Sequence, residues 1–128
     1  MAFDLTRAVT VLFGSSETWE WSGIAWSRRA VTGPAARTGQ AVAYDPGRRV
    51  TLLFGGLVSG GNFATYSGET WEWNGTGWSQ RPVSGPSPRD SHSMAYDSAR
   101  AVGLQTGQSP RALCHTPWPN QRVRKARL

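Results

Sequence analysis

The residue types that most often carry out catalysis or bind metals are scarce in this sequence. Its 128 residues include two histidines and one cysteine. Cys114 and His115 are adjacent, so they point apart on any regular element, and no second cysteine or histidine lies at metal-ligand spacing. The sequence also lacks a nucleophile elbow, a phosphate loop and a dinucleotide-binding glycine motif. We therefore expect no catalytic residues, no metal site and no cofactor.

Tryptophan could recognise a ligand, because an aromatic plane can stack on the face of a sugar ring. Six of the seven tryptophans fall in two stretches, Thr18–Trp26 and Thr70–Trp78, at the same three positions and 52 residues apart. They are Trp19, Trp21 and Trp26 in the first stretch, and Trp71, Trp73 and Trp78 in the second. A ligand site has no need to recur in identical form, so we favour structural packing between sheets over carbohydrate binding. The seventh, Trp118, supports neither interpretation.

Two arginines, Arg37 and Arg89, also recur at the 52-residue offset, each just before a predicted strand. A guanidinium at this position could bind an anionic partner. The alternative is a structural ion pair or contacts with main-chain carbonyls, with Asp45 and Asp97 of the same repeats as candidate acids. Recurrence favours the structural alternative, yet these two arginines are the best candidates in the chain for binding an anionic partner.

An internal repeat organises the chain. Residues 17–56 match residues 69–108 at 20 of 40 positions without a gap. Residues 3–14 match residues 44–55 at an offset of 41, so the first copy lacks the eleven residues Leu57–Ser67. This segment carries Phe63, Thr65 and Tyr66. Because it is present only once, it is a candidate for specific recognition, but we slightly favour the alternative, a flexible loop rich in glycine and serine.

Each repeat predicts four short strands. Val50–Phe54 is a β-branched apolar run that fits a strand buried on both faces. The others are Gln40–Tyr44, Glu69–Trp73 and a fourth strand from Trp78. Short strands joined by glycine- and proline-rich turns, repeated about every 50 residues, are typical of β-propeller blades.

Three turn segments separate these strands. Asp45–Arg48 predicts a turn in which Gly47 supplies a positive φ. Gly55 and Gly56 follow a strand, where the backbone must turn sharply or approach another segment closely. Asn74–Gly77 predicts a tight hairpin before the fourth strand.

The net charge of +6 is unevenly distributed. Residues 1–109 carry nine arginines against eight acids, whereas the segment from Pro110 onward carries five basic residues and no acid. A nearly neutral body does not favour nucleic-acid binding. We expect residues 109–128 to be a disordered basic tail, with binding to nucleic acid or an acidic membrane as the alternative. No apolar run is long enough to span a membrane and no signal peptide is visible, so the compartment stays open.

The Gly55-Gly56 doublet after an apolar strand, the spaced tryptophans and the Pro-Arg-then-Tyr-Asp segment resemble kelch repeats over residues 3 to about 104. The Thr-Trp-Glu-Trp form is similar to bacterial kelch proteins of the type found in the central domain of galactose oxidase. The resemblance implies four-stranded blades, six or seven of which close a ring. It also implies structural hydrogen bonding by His92, whose counterpart in the other copy is Gln40. The copper site of galactose oxidase, which uses tyrosines, histidines and a cysteine, has no matching constellation here.

The pattern also departs from a complete ring. Little more than two blades are present, with pieces at residues 3–31, 40–83 and 92–104, the first lacking its first strand. After Leu104 the repeat stops matching, which suggests a gene fragment whose end is read in a shifted frame. The predicted fold is thus all-β: an incomplete kelch-type β-propeller of about two four-stranded antiparallel blades in residues 1–108, followed by an irregular tail.

The function that this organisation predicts is a non-catalytic binding or scaffold module, a segment of a larger propeller protein. Its expected partner is another protein, or a second copy that meets an exposed blade face. The alternatives are a fragment of a galactose-oxidase-like enzyme, a short protein that self-associates to close a propeller, and a tryptophan-based carbohydrate binder.

Overall fold

The computed structural model describes residues 1–29, 32–106 and 113–114. Within these ranges the regular secondary structure consists of β-strands, and no helix is present. The strands form four antiparallel sheets. None of the described residues belongs to a helix that could cross a membrane. The all-β fold class is therefore confirmed, while the kelch-type propeller arrangement stays a prediction.

Sheet 1 contains four strands in chain order. They are β1 (Ala2–Asp4), β2 (Val9–Gly14), β3 (Glu17–Trp21) and β4 (Trp26–Arg29). The sequence predicts only the last three strands of a repeat here. That expectation is wrong, because Ala2 pairs with Val11 and Asp4 pairs with Val9 in a short first strand.

Between sheets 1 and 2 the chain forms β5 (Arg37–Thr38), which belongs to sheet 3, described below. Sheet 2 has the same plan as sheet 1 and holds the core. Its strands, in spatial order, are β6 (Ala41–Asp45), β7 (Val50–Phe54), β10 (Thr70–Trp73) and β11 (Trp78–Arg81). On β7 every residue from Thr51 to Phe54 is buried, as expected for a strand covered on both faces. Burial of such apolar surface contributes about 25 cal/mol per Å², so this strand is a main source of stability.

Sheet 3 accounts for the segment that only one repeat carries. It consists of β5, β8 (Leu57–Gly60) and β9 (Phe63–Tyr66), with β8 in the middle. The expectation of a flexible loop is not met, because β8 and β9 pair along their whole length, from Leu57 with Tyr66 to Gly60 with Phe63. Gly61, with a φ of 62°, allows the two-residue turn between them.

Sheet 4 begins a third repeat. Its strands are β12 (Ser93–Asp97), β13 (Val102–Thr106) and β14 (Leu113–Cys114), in that order. Met94 of β12 packs against Ala43 and Leu52 of sheet 2. The predicted disordered tail lies mostly outside the described residues, as do His115 and Trp118.

One turn recurs in sheets 1, 2 and 4. An aspartate at the end of the first strand accepts hydrogen bonds from two main-chain N–H groups of the turn, 2.9–3.1 Å long, in all three sheets: Asp4, Asp45 and Asp97. Four residues after each aspartate the backbone is left-handed, at Ala8, Arg49 and Ala101, with φ of 54°, 57° and 54°. The sequence places the positive φ at Gly47, which is wrong, because the aspartate closes the turn earlier and the left-handed residue follows it.

The glycine doublet behaves as predicted. Gly55 and Gly56 have φ of 70° and 96°. A Cβ on Gly55 would lie 2.5 Å from the carbonyl oxygen of Arg89, so a side chain there has no room. The Gly56 N–H donates a 2.8 Å hydrogen bond to that same oxygen, which ties the end of β7 to the loop before β12.

Candidate functional site

The tryptophans of sheet 2 join it to sheet 1. Trp73 is 1% exposed, and its indole N–H donates a 3.0 Å hydrogen bond to Glu20 Oε1 of β3. The indole N–H of Trp78 donates a 2.8 Å hydrogen bond to Thr18 Oγ1, and its ring packs edge-on against Phe13. The predicted position of tryptophans between sheets is therefore observed at this interface.

Glu20 is the centre of an ion cluster beneath the Trp73 ring. The guanidinium of Arg7 donates a hydrogen bond to Glu20 Oε1, and Arg29 Nε lies 3.8 Å from Glu20 Oε2. Arg7 also pairs with Asp4 at 2.7 Å. Burial alone would lower the pKa of Arg7, but the hydrogen bonds to Glu20 and Asp4 outweigh it and raise that pKa. The indole N–H thus meets an acid whose negative charge is already compensated.

Sheet 2 carries the same cluster without the tryptophan. Glu72 is 7% exposed, with Arg48 Nη2 at 2.6 Å and Arg81 Nε at 3.6 Å from its Oε1. Neither approach has hydrogen-bond geometry, and no indole from the described residues donates to this carboxylate. Thr70, the counterpart of Thr18, is 8% exposed on the same strand. This pair is an acceptor site equivalent to the one that sheet 1 offers to Trp73 and Trp78.

These clusters were missed by sequence reasoning, which assigned no role to Glu20 or Glu72. A signal was nevertheless present. Arg7 matches Arg48 at the offset of 41. The remaining pairs, Thr18 with Thr70, Glu20 with Glu72 and Arg29 with Arg81, match at the offset of 52. Recurrence of two arginines with the glutamate indicates a buried ion cluster, since an exposed charge has no such constraint.

The opposite face of sheet 1 presents a second tryptophan pair. Trp21 and Trp26 lie 5.5 Å apart with an interplanar angle of 42°, nearly the geometry of Trp73 and Trp78, at 5.6 Å and 42°. Trp26 is nevertheless 45% exposed. The hairpin tip beside it carries Ile24, which is 89% exposed. We call the surface formed by Trp21, Ile24 and Trp26 the tryptophan face of sheet 1.

The remaining two indoles have a local role. Trp19 donates to Glu17 Oε2 at 2.9 Å, and Trp71 donates to Glu69 Oε2 at 3.1 Å. Both bonds connect residues two apart on the same strand edge. The N–H groups of these two rings are therefore already used within their own sheets.

Arg37 is a buried clamp between strands. It is 3% exposed, and it donates to the carbonyl oxygens of Ala35 and Gly55 and to Glu69 Oε2, at 3.0, 3.1 and 2.7 Å. The acid is thus Glu69 and not Asp45, whose carboxylate caps its own turn. Burial would raise the pKa of Glu69, but hydrogen bonds from Arg37 and Trp71 lower it below its ordinary value. These contacts support the structural alternative for Arg37.

Arg89 occupies the same position before β12 with fewer contacts. Its guanidinium donates to the carbonyl oxygen and the hydroxyl of Ser87, at 3.0 and 3.1 Å. The position that matches Glu69 is 121, where this sequence has Gln121 and so offers no acid partner. An anion-binding role for Arg89 stays a prediction.

Phe63 and Tyr66 lie on β9, and all four residues of that strand are exposed. The two rings are 80% and 56% exposed. Their side chains alternate along the strand, so they point to opposite faces of sheet 3. The structure therefore does not bring the two aromatic rings together into one binding surface.

Gln40 and His92 differ more than the repeat implies. Gln40 donates a 2.9 Å hydrogen bond to the carbonyl oxygen of Phe13, which joins sheet 2 to sheet 1. His92 packs edge-on against Phe54, and neither of its ring nitrogens has hydrogen-bond geometry with a described residue. Burial and the charge of Arg89 lower the pKa of His92. The predicted structural hydrogen bond is therefore seen for Gln40 only.

The described residues contain no group of three or more side chains that could hold a metal ion. An open surface depression of about 430 Å³ lies beside β11, an edge strand of sheet 2. Its walls are formed by residues 68–69 and 80–84, where Glu69 is already paired with Arg37. We find no arrangement of polar groups there that converges on a ligand.

Comparison of the chain with protein-family models and with curated proteins gave no match in either case. The resemblance to kelch repeats therefore depends on the residues of this sequence alone.

Proposed function

We propose that the chain is a non-catalytic binding or scaffold module, a kelch-type segment of a larger propeller protein. Its working surface is the tryptophan face of sheet 1, and its partner is another β-sheet of the same kind. The observation that carries this proposal is the repetition of one tryptophan pair in two environments. Trp73 is 1% exposed and Trp78 is partly buried where they meet sheet 1, whereas Trp26, the counterpart of Trp78, is 45% exposed.

The chemistry of the covered pair supports a protein partner for the uncovered one. At the interface of sheets 1 and 2, two indole N–H groups meet a threonine hydroxyl and a glutamate compensated by arginines. Tryptophan pairs of this kind bury ~150–250 Å² per ring. A partner that offers the same two acceptors would satisfy the N–H groups of Trp21 and Trp26 and cover their rings together.

A longer chain with one added repeat tests this proposal. A copy of residues 40–93 is joined directly in front of Met1, which keeps the repeat register because Met1 matches Met94 in the alignment. We expect the added sheet to cover the tryptophan face. Amide hydrogen exchange in residues 17–29, measured by mass spectrometry, should then become slower than in the original chain.

The matched control carries Thr70→Val and Glu72→Gln in the added copy only, which removes the threonine acceptor and the charge while keeping side-chain size. Exchange in residues 17–29 should return toward that of the original chain. If the added repeat folds and leaves this exchange unchanged, the tryptophan face does not receive a sheet and the proposal is wrong.

A second contact surface is favoured by one observation, the full exposure of β9. This strand is at the edge of sheet 3, so its outward main-chain groups are available for pairing with an extended segment of a partner. Phe63→Ala and Tyr66→Ala would weaken such pairing without changing the core. A partner captured by the intact chain and lost with these variants, but retained with Trp26→Ala, would assign binding to this edge.

A further inference from the structure

We propose that two copies of this chain associate head to tail. Trp21 and Trp26 on sheet 1 of one copy dock on Glu72 and Thr70 on sheet 2 of the next. This inference deepens the proposed function, because it names a second copy as the sheet that covers the tryptophan face. The interface is heterologous: the two surfaces that meet are different, and each chain carries one of each.

The contacts between sheets 1 and 2 provide the template. Trp73 donates to Glu20 and Trp78 donates to Thr18 within one chain. Each donor and each acceptor recurs 52 residues away in the sequence. Trp21 corresponds to Trp73 and Trp26 to Trp78, while Glu72 corresponds to Glu20 and Thr70 to Thr18. The chain therefore contains a complete second set of the same interface, divided between two surfaces that do not face each other.

The acceptor half is prepared for a donor. Glu72 Oε1 is buried and paired with Arg48 and Arg81, but no described residue donates a hydrogen bond of good geometry to it. Hydrogen bonds to charged groups are among the stronger ones in proteins, and an indole N–H could supply one to this oxygen. In sheet 1, where the donor is present, Glu20 has the same two-arginine surroundings and accepts the bond from Trp73.

The hairpin of β12 and β13 occupies part of the docking area. It contacts β6, an edge strand of sheet 2, where β1 of a second copy would lie by the same template. Strand β12 is less buried than β6, the matching strand of sheet 2: Tyr96 and Asp97 are partly exposed, whereas Tyr44 and Asp45 are buried. We expect the incoming sheet to displace this hairpin, because it brings two indole hydrogen bonds that β12 and β13 do not supply.

Head-to-tail contacts continue from copy to copy until the rotation closes. Sheets 1 and 2 supply two four-stranded sheets per copy, so three copies would place six such sheets around an axis. That number lies within the usual range of about four to eight blades for propellers. A small closed oligomer is therefore the expected end state.

Sedimentation velocity of the full chain over a range of concentrations tests the proposal with two variants. The donor variant is Trp21→Phe with Trp26→Phe, which keeps the aromatic rings and removes both N–H groups. The acceptor variant is Thr70→Val with Glu72→Gln. The original chain should associate with increasing concentration, and each variant should associate at least about tenfold more weakly, as expected for the loss of a hydrogen bond to a charged group.

Mixing the two variants gives the sharpest result. The donor variant keeps an intact acceptor surface, and the acceptor variant keeps an intact tryptophan face. A one-to-one mixture should therefore form a heterodimer that grows no further. Trp19→Phe is the matched control, because the N–H of Trp19 is already bonded to Glu17 within sheet 1 and its loss should leave association unchanged.

Tyr96→Ala provides an independent measurement. It weakens the hold of β12 on sheet 2, so it should strengthen association. An original chain that stays monomeric at every concentration overturns this proposal, as does a variant mixture that does not associate. The longer chain with an added repeat can still show a covered tryptophan face in that case, so the proposed function would fail only by its own experiment.

Discussion

Sheets 1 and 2 have the same strand order and the same tryptophan positions, yet their tryptophans lie in different surroundings. The ring pairs Trp21–Trp26 and Trp73–Trp78 have the same interplanar angle of 42°. Trp73 is 1% exposed and its counterpart Trp21 is partly exposed, while Trp78 is partly buried and its counterpart Trp26 is 45% exposed. Local sequence therefore determines the geometry of the pair, whereas the neighbouring sheet determines its burial. The same residue can be a core residue in one repeat and a contact residue in the next.

The largest expected effect compares a ring at the interface of sheets 1 and 2 with a ring on the tryptophan face. Trp73→Ala should lower the free energy of unfolding by about 3–5 kcal/mol, because it leaves a cavity between two sheets and removes a donor from Glu20. Trp26→Ala should lower it by less than about 1 kcal/mol, since that ring is partly exposed. Urea denaturation followed by circular dichroism measures both. Equal losses would mean that the tryptophan face is as well covered as the interface.

The arginine clamp gives the next comparison. Arg37→Ala should cost about 2–3 kcal/mol, because the carbonyl of Gly55 and the carboxylate of Glu69 lose a buried donor. Arg89→Ala should change stability by no more than about 0.5 kcal/mol, since its bonds reach only Ser87. The same denaturation experiment applies. A large loss for Arg89→Ala would show that the third repeat is clamped like the second.

The pH dependence of stability separates two glutamates at matching positions, Glu69 and Glu17. Both carboxyl groups have a pKa below the ordinary value. For Glu69, hydrogen bonds lower the pKa by more than burial raises it. For Glu17, hydrogen bonds from Trp19 and Arg28 lower the pKa. A lowered folded-state pKa stabilises the protein above the unfolded pKa, about 4.3, and this contribution is lost as pH falls through the folded value.

Salt should distinguish the two. The pair of Glu17 with Arg28 is exposed on both sides, whereas Arg37 beside Glu69 is buried. In about 1 M salt the contribution of Glu17 should disappear, and that of Glu69 should persist. Thermal denaturation of Glu17→Gln and Glu69→Gln between pH 3 and 6 measures this. An identical salt response would contradict the assignment of Arg37 as the buried partner.

The smallest expected effect concerns the β8–β9 hairpin of sheet 3, which has no counterpart in the first repeat. Phe63→Ala and Tyr66→Ala should change the free energy of unfolding by no more than about 0.5 kcal/mol each, because both rings are exposed. Phe54→Ala, in the core of sheet 2, serves as the comparison and should cost about 3–5 kcal/mol. A substantial loss from either surface variant would mean that β9 packs against part of the chain outside the described residues.

Much of the strand pattern follows from the sequence. Val50–Phe54 is the strand that its apolar run predicts, and β11 begins at Trp78 as the turn before it indicates. Asn74 closes that turn by accepting hydrogen bonds from the N–H groups of Thr76 and Gly77 at 2.9 Å. These features depend on contacts between residues close in sequence, which a single chain can reveal.

Other features required knowledge of distant neighbours. The β8–β9 hairpin was expected to be a loop because its glycines and serines suggest flexibility, although Gly61-Asn62 between two short runs is a hairpin signal. The sequence analysis named Asp45 as a candidate acid partner of Arg37, whereas the observed partner is Glu69. These two residues are distant in sequence, and only the folding of the sheets brings them together. The exposure of Trp26 depends on whether another sheet covers sheet 1. The residues around Trp26 carry no information about that.

The left-handed residues in the recurring turn have a consequence for how such a chain lengthens. Ala8, Arg49 and Ala101 each adopt a positive φ without being glycine, at about 1 kcal/mol apiece. Each added repeat therefore also adds one strained left-handed residue, and the total backbone strain energy grows in proportion to the number of repeats. Glycine at these three sites would relieve this strain. In a lengthened array, each such substitution should therefore stabilise one turn independently of the others.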